Sequence, residues 1–532
     1  MKKVFLFSVV LIVVIIVSFK LSKDDEFVVS EDYYDTIRKI TIHAIPEDIL
    51  ADKSDSIKSI YAAFGNHEIW VDAENREDLI VQIEKSKYEG LNPQDYNINK
   101  IFQLEVRLDS LTLDEKLAYD ILLTQSYDKL CNQYYRGKLN PDEVYENWDL
   151  FDKPLSMANH LKAAISSKKV ASSVKNLLPN HPIYSSLKEA LVLIDKMPES
   201  NFDSLKKTIK IKYNDTLKEV KEIKKRLVYW KDLDEKNTNY SIIYDRSMFV
   251  AVKKFQARHG LLADGIIGYG TIKALNYNVA TRRSQILANL ERWRWFPRDF
   301  GEQYLLINLP EYSLHFIKNQ DTLAKHKIVC GKPKRMTPIL DSKLSNFVFN
   351  PTWTVPPTII KEDLSVEAAA NRSYFTRNRI LIYNAKNNIV SPSNWNPDKA
   401  TSYRYVQNHG YNNSLGVVKF NFPNHHSVYL HDTNHRDFFD LSFRALSSGC
   451  VRVQNPVDLS KKILIKQDNE RWANGNEIDT IIKKNKAPYY IKIKEPTYVH
   501  LLYWTSWLNA SGFQFRDDMY DLDKKLYDKL RS

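Results

Sequence analysis

Two stretches, Tyr429-Leu430-His431-Asp432-Thr433 and Arg444-Ala445-Leu446-Ser447-Ser448-Gly449-Cys450-Val451-Arg452-Val453, decide how this chain is read. Val428–His431 is a short apolar run bounded by polar residues, the pattern of a strand. Cys450 follows His431 by nineteen residues, with a loop between. That spacing lets two neighbouring segments return side by side and bring an imidazole to a sulfur. A thiol attacks well only as a thiolate, and an ordinary cysteine holds its proton to about pH 8.5, so it needs a base or a positive field nearby. Gly449 permits a sharp turn beside the sulfur. Backbone N–H groups around Gly449 and Cys450 are placed to face a developing oxyanion. Arg444 and Arg452 supply planar guanidinium groups suited to a carboxylate.

Outward from these stretches, the pattern is that of short strands. Tyr304–Leu309, Ser313–Lys318, Lys325–Val329 and Asn346–Asn350 are apolar or alternating runs between turns. A helical pattern, Val457–Lys466, closes this region, and the tail Tyr498–Leu530 reads as strand, turn, strand and charged helix. Upstream, residues 30–235 read mainly as helix. Arg76–Tyr88 and Leu113–Leu130 carry apolar residues at three- and four-residue spacing, with breakers at Gly90 to Pro93, Gly137, Pro179 and Pro182. Ser204–Asp232 is rich in Lys and Glu and predicts one long solvated helix. The fold class is α+β and multidomain: a mostly β domain with mixed or antiparallel sheets, beside a helical scaffold.

A chain of 532 residues is long enough for three or four domains. Its 43% apolar and 27% charged residues are ordinary for a globular protein, and 31 Tyr against 14 Gly exclude dominant low-complexity disorder. The net charge of +12 suits an anionic partner. Zinc-finger spacing, an RNP-like aromatic run and a dense basic arm are all lacking, so nucleic acid is set aside. Lys2 and Lys3 precede the apolar run Val4–Phe19, and Asp24-Asp25-Glu26 follow. This order predicts an uncleaved signal anchor over residues 1–25, with a cleaved signal peptide as the alternative, and either exports the rest of the chain to the periplasm. Three cysteines do not make a disulfide framework; Cys131 and Cys330 read as buried apolar side chains, with a bridge between them as the alternative. His425, His426, His431 and His435 invite a metal reading, but no helix carries the last two, and no metal is expected.

Residues 240–276 form a compact unit. Ser247–His259 is amphipathic, Gly260-Leu261-Leu262-Ala263-Asp264-Gly265-Ile266-Ile267-Gly268 turns, and Thr271–Leu275 is a second short helix. The unit resembles the small three-helix peptidoglycan-binding domain. The stretch from His431 to Arg452 resembles the signature of the L,D-transpeptidase (YkuD-type) family, a His followed by a Ser/Thr-His-Gly-Cys-x-Arg segment. Ser448 stands where most members have a second His. The resemblance to the large, scaffold-bearing branch runs through Gly331-Lys332-Pro333, Asn350 to Pro357, Asn413-Ser414-Leu415-Gly416 and Tyr503-Trp504-Thr505-Ser506-Trp507.

The resemblance implies a helical scaffold over 26–239, a peptidoglycan-binding-like domain over 240–280, and a catalytic domain over 281–497. It also implies a capping insertion at about 361–410 and a tail, 498–532, that returns to the scaffold. It assigns the base to His431, the nucleophile to Cys450, backbone oxyanion support to Gly449, and substrate contacts to Arg452, Arg444, Ser448, Gln407 and Trp353. No cofactor is implied. The partners implied are peptidoglycan stem peptides, the cytoplasmic membrane and cell-wall synthases, and a carbapenem would label the thiol. The implied reaction joins diamino acid residues of two stems through a thioester. A thiol hydrolase acting on the same bonds and a non-catalytic wall-binding scaffold are the alternatives.

Overall fold

The computed structural model describes residues 42–150, 153–465, 471–472, 475–484, 486 and 488–531. The expected anchor lies outside the described residues. No described helix is long and apolar enough to cross a membrane. The architecture is α+β, with a helical N-terminal region and a curled, mostly β domain.

The first helical unit is built around Leu113–Arg136, whose start is fixed by a capping box between Thr112 and Glu115. Its apolar face joins Ile57, Tyr61, Leu79, Ile83 and Leu161 in one core that also buries Cys131. Lys218–Tyr229, Arg246–Arg258 and Tyr269–Leu275 pack in a second core through Val220, Ile223, Leu227, Val252, Phe255 and Ile272. This small unit thus draws on a helix upstream of residue 240. The long helix expected over 204–232 is only Lys218–Tyr229. Before it, Ile211 and Thr216 form bridges to Ile267 and Ile243, so residues near 204–217 pair with the unit instead of extending the helix.

Val279–Trp295 joins this unit to the β domain and is buried nearly all round, polar side chains included. Those polar groups are satisfied by the C-terminal tail. Asn289 donates to Thr505 Oγ1 at 2.7 Å, Gln285 donates to the Arg516 carbonyl at 2.9 Å, and Arg292 pairs with Asp523 at 2.6 Å. The tail therefore returns to the helical side, and its strands and its helix Leu522–Arg531 complete the main core.

Among the described residues the main sheet has twelve strands. Its site-bearing part runs Asp321–Gly331, Val451–Val453, Leu430–His431, Val418–Asn421, Asn346–Phe349 and Tyr489–Lys492. Leu430–His431 pairs parallel with Val451–Val453 and antiparallel with Val418–Asn421. Side chains alternate across a strand, so each strand turns one set inward. Phe347, Phe349, Val418, Phe420, Leu430, Val451 and Val453 are that buried set. Between Val355 and Tyr405 lies an excursion with its own small core, holding Ile360, Leu364, Phe375, Ile382 and Trp395, and its own four-stranded sheet.

Candidate active site

The register of three strands places the charged residues. Lys419 is opposite His431, and His431 is opposite Arg452. Residues directly opposite share a face, so Lys419, His431 and Arg452 form a row across the face away from the aromatic core. One step back in the parallel register, the Val451 N–H donates to the Tyr429 carbonyl at 3.2 Å, which sets Tyr429 level with Cys450. The Tyr429 and His431 rings are 5.6 Å apart, centroid to centroid.

Cys450 is half-buried, keeping some exposure while dense protein surrounds it. Burial pushes its thiol up, and the Tyr429 backbone, the charge of Lys419, the Tyr429 side chain and the charge of Arg452 oppose that rise. His431 is 5% exposed, and its Nδ1 lies against the Asp432 carbonyl. This contact makes Nδ1 the protonated nitrogen and leaves Nε2 as a lone-pair acceptor. Burial, with Arg452 and Lys419 nearby, holds the imidazolium pKa down at about 3, so the ring is neutral at physiological pH.

Arg452 is half-buried, and its Nε and Nη1 have no hydrogen-bond partner among the described residues. Unpaired guanidinium N–H groups beside a candidate nucleophile form a ready anion site. The turn carrying the nucleophile is held tightly. Gly449 has φ +115°, a conformation that favours glycine. Thr337 Oγ1 donates to the Gly449 carbonyl at 2.7 Å and accepts from the Gly331 N–H at 2.8 Å. Ser447 Oγ donates to the Cys450 carbonyl at 2.6 Å.

Several expected site residues have other occupations. The Gly449 N–H donates to Ser447 Oγ at 3.2 Å, so it is not free to meet an oxyanion. The Arg444 guanidinium donates to the carbonyls of Leu441, Ile328 and Tyr312 at 2.7, 3.1 and 3.2 Å, which makes it a structural clamp. Gln407 donates to the Asn378 carbonyl at 3.0 Å and accepts from the Ser414 N–H at 2.8 Å, so both ends of its amide fix the excursion. Trp353 stands opposite Gln407 in the excursion's sheet. Ser448 is exposed, and its Oγ accepts from Arg335 Nη1 at 2.8 Å. Arg335 also pairs with Glu362 and, at 2.6 Å, with Asp363, tying the excursion to the nucleophile turn. All three cysteines are free, and Cys131 and Cys330 are buried.

Sequence reasoning missed Lys419 and Tyr429. The first carries a signal: a lysine alternating with buried Val418 and Phe420 must face a second, polar surface.

With this geometry in place, the matches to known proteins are specific. Residues 302–476 match the family described as "L,D-transpeptidase catalytic domain". The chain carries an L,D-transpeptidase catalytic domain. Residues 55–191 match a "Scaffold domain", and residues 216–275 match a "Putative peptidoglycan binding domain". A Haemophilus influenzae protein described as "Putative L,D-transpeptidase" is 33% identical over 264 residues, covering 48% of this chain and 52% of that protein. The match thus spans about half the length of that curated relative. A solved L,D-transpeptidase from Xylanimonas cellulosilytica aligns over 55% of this chain and 97% of its own, at 15% identity and a TM-score of 0.18, too low to argue from. The sheet bearing Cys450 and the row of charged side chains lies mostly within the matched transpeptidase domain.

Proposed function

We propose that this protein forms crosslinks between diamino acid residues of peptidoglycan stem peptides, through a thioester on Cys450. The observation that carries this reading is the row of Lys419, His431 and Arg452 on one sheet face beside Cys450, within the transpeptidase domain.

In this reading the unpaired N–H groups of Arg452 hold an anionic group of the donor stem. Neutral His431 takes the thiol proton on Nε2 while Nδ1 is held by the Asp432 carbonyl. The sulfur then attacks the carbonyl carbon of the diamino residue that precedes a terminal D-Ala. The S–C bond forms, the C–N bond breaks, and D-Ala leaves with the proton from His431 as a free amine. A side-chain amine of a second stem attacks the thioester, restoring the thiol and forming the crosslink. With the Gly449 N–H committed to Ser447, the oxyanion falls to other donors of the turn.

The peptidoglycan-binding unit holds the wall polymer near the site. The N-terminal sequence anchors the chain in the cytoplasmic membrane, with the catalytic part in the periplasm and cell-wall synthases as working partners.

The test is muropeptide mass analysis of a soluble form lacking the first 25 residues, incubated with disaccharide-tetrapeptide beside its Cys450→Ala variant. Crosslinked dimers with loss of D-Ala, missing in the variant, support the reading. Shortened monomers alone would replace it with a hydrolase. No product from folded protein would replace it with a wall-binding scaffold.

A further inference from the structure

The mechanism above leaves Lys419 without a task. This lysine sits in the middle of Val418–Asn421, in a strand whose neighbours Val418 and Phe420 are fully buried. Its Nζ lies 3.8 Å from the centroid of the Tyr429 ring. A cation over an aromatic face is attracted by the ring quadrupole, which holds the ammonium in place without a carboxylate to neutralise it. Among the described residues, the acid whose charge acts on Lys419 is the thiol of Cys450. The same tyrosine stands level with Cys450 in the parallel register. Lysine, ring and thiol therefore lie together on a single sheet face.

We propose that Lys419 is a positioning residue for Cys450: held on the Tyr429 ring, its ammonium stabilises the thiolate. The inference rests on Cys450 being the nucleophile. The charged and titratable groups facing the sulfur are Tyr429 beside it, His431 on the neighbouring strand, Lys419 on the strand beyond that, and Arg452 on its own strand. Asp437 faces Arg452, while Arg335 is paired with Glu362 and Asp363. Burial pulls the Lys419 ammonium down and a Cys450 thiolate raises it again, so the two charges support each other.

The test is the pH dependence of iodoacetamide alkylation of the full chain, read by intact mass. The thiolate displaces iodide, so the rate follows the thiolate fraction. Cys131 and Cys330 are fully buried, and subtraction of the Cys450→Ala signal removes any residue of their reaction. An opposite charge at close range moves an acid by about 1–3 pH units. Lys419→Met should therefore raise the alkylation midpoint by about 1 unit or more, and Lys419→Arg should stay close to the parent. An unshifted midpoint in Lys419→Met overturns the proposal. So does an equal rise in both variants, which would mark a packing defect. Lys419→Gln takes the place of Lys419→Met if the latter lacks the parental near-UV circular dichroism. The assay needs no stem peptide. A shift alongside absent crosslinking would keep Lys419 in its role and remove the transpeptidase reading alone.

Discussion

Thr337→Val removes one hydroxyl from the support of the nucleophile turn and nothing else of comparable size. Thr337 is fully buried, and its Oγ1 joins the Gly331 N–H at 2.8 Å to the Gly449 carbonyl at 2.7 Å. Valine fills nearly the same space but leaves a donor and an acceptor in a dry site. Each orphaned group costs roughly 1–3 kcal/mol. The two share a single oxygen and are not additive, so about 2–4 kcal/mol is the expected loss. For a domain of 150–250 residues, roughly 2–4 °C of melting temperature goes with each kcal/mol, so the drop should be about 4 °C or more. Thr337→Ser keeps the hydroxyl and loses a methyl, worth about 0.8 kcal/mol plus a small void.

Thermal unfolding of the full chain, followed by near-UV circular dichroism, measures the first effect. The rate of Cys450 alkylation by iodoacetamide measures the second, because the turn carrying the sulfur loses an anchor. Thr337→Val should melt early and label slowly, with Thr337→Ser nearer the parent on both counts. The reasoning fails if Thr337→Val melts within about 1 °C of the parent. It fails equally if Thr337→Ser falls as far as Thr337→Val, since the hydroxyl would then not be the cause.

Two further outcomes follow from the site. His431 carries a folded-state pKa of about 3 against an ordinary 6.5, so between these values the unfolded chain binds a proton that the folded chain refuses. Stability from this residue is whole above pH 6.5 and declines as pH falls toward 3, by up to about 1.4 kcal/mol per pH unit. Urea midpoints at several pH values should fall less steeply for His431→Gln than for the parent, and parallel slopes would contradict a neutral buried ring. Arg444→Met strips the carbonyls of Ile328, Leu441 and Tyr312 of their donor. It should lower the melting temperature by several degrees and leave KM for the donor stem unchanged; a raised KM at parental stability would return Arg444 to the substrate.

The strands were legible because local alternation and burial agree. Ser313–Lys318 is where its apolar alternation predicts, and the tail forms strands and a terminal helix in the expected order. Residues 204–217 misled because their Lys-rich composition suits a helix while their task is tertiary. Ile211 and Thr216 bridge to Ile267 and Ile243, and Asn214 adopts φ +71°. Contacts arriving from distant positions in the chain override a propensity worth tenths of a kcal/mol per residue. For Gln407 and Arg444 the sequence is silent for another reason. A long polar side chain near a cleft looks the same in sequence whether it faces a ligand or a row of carbonyls, and the backbone groups that claimed these two have no sequence signature.

Register is the deeper reason that part of the site was hidden. Nineteen residues between His431 and Cys450 are enough to bring two strands together, yet spacing does not say which residues then stand level. A slip of one position would turn every side chain to the opposite face. Leu430 and Val451, both in the core, forbid that slip, because it would bury His431 and Arg452 among Phe347, Phe349 and Phe420. The same constraint acts on the next strand, where Val418 and Phe420 must face inward and Lys419 must therefore face His431. The apolar residues that carry no chemistry thus choose which charged residues meet. Conserving their volume and alternation is as necessary to the site as keeping the thiol itself. Exchanging Val418 for a polar residue would be expected to disable the site without touching any of its functional groups.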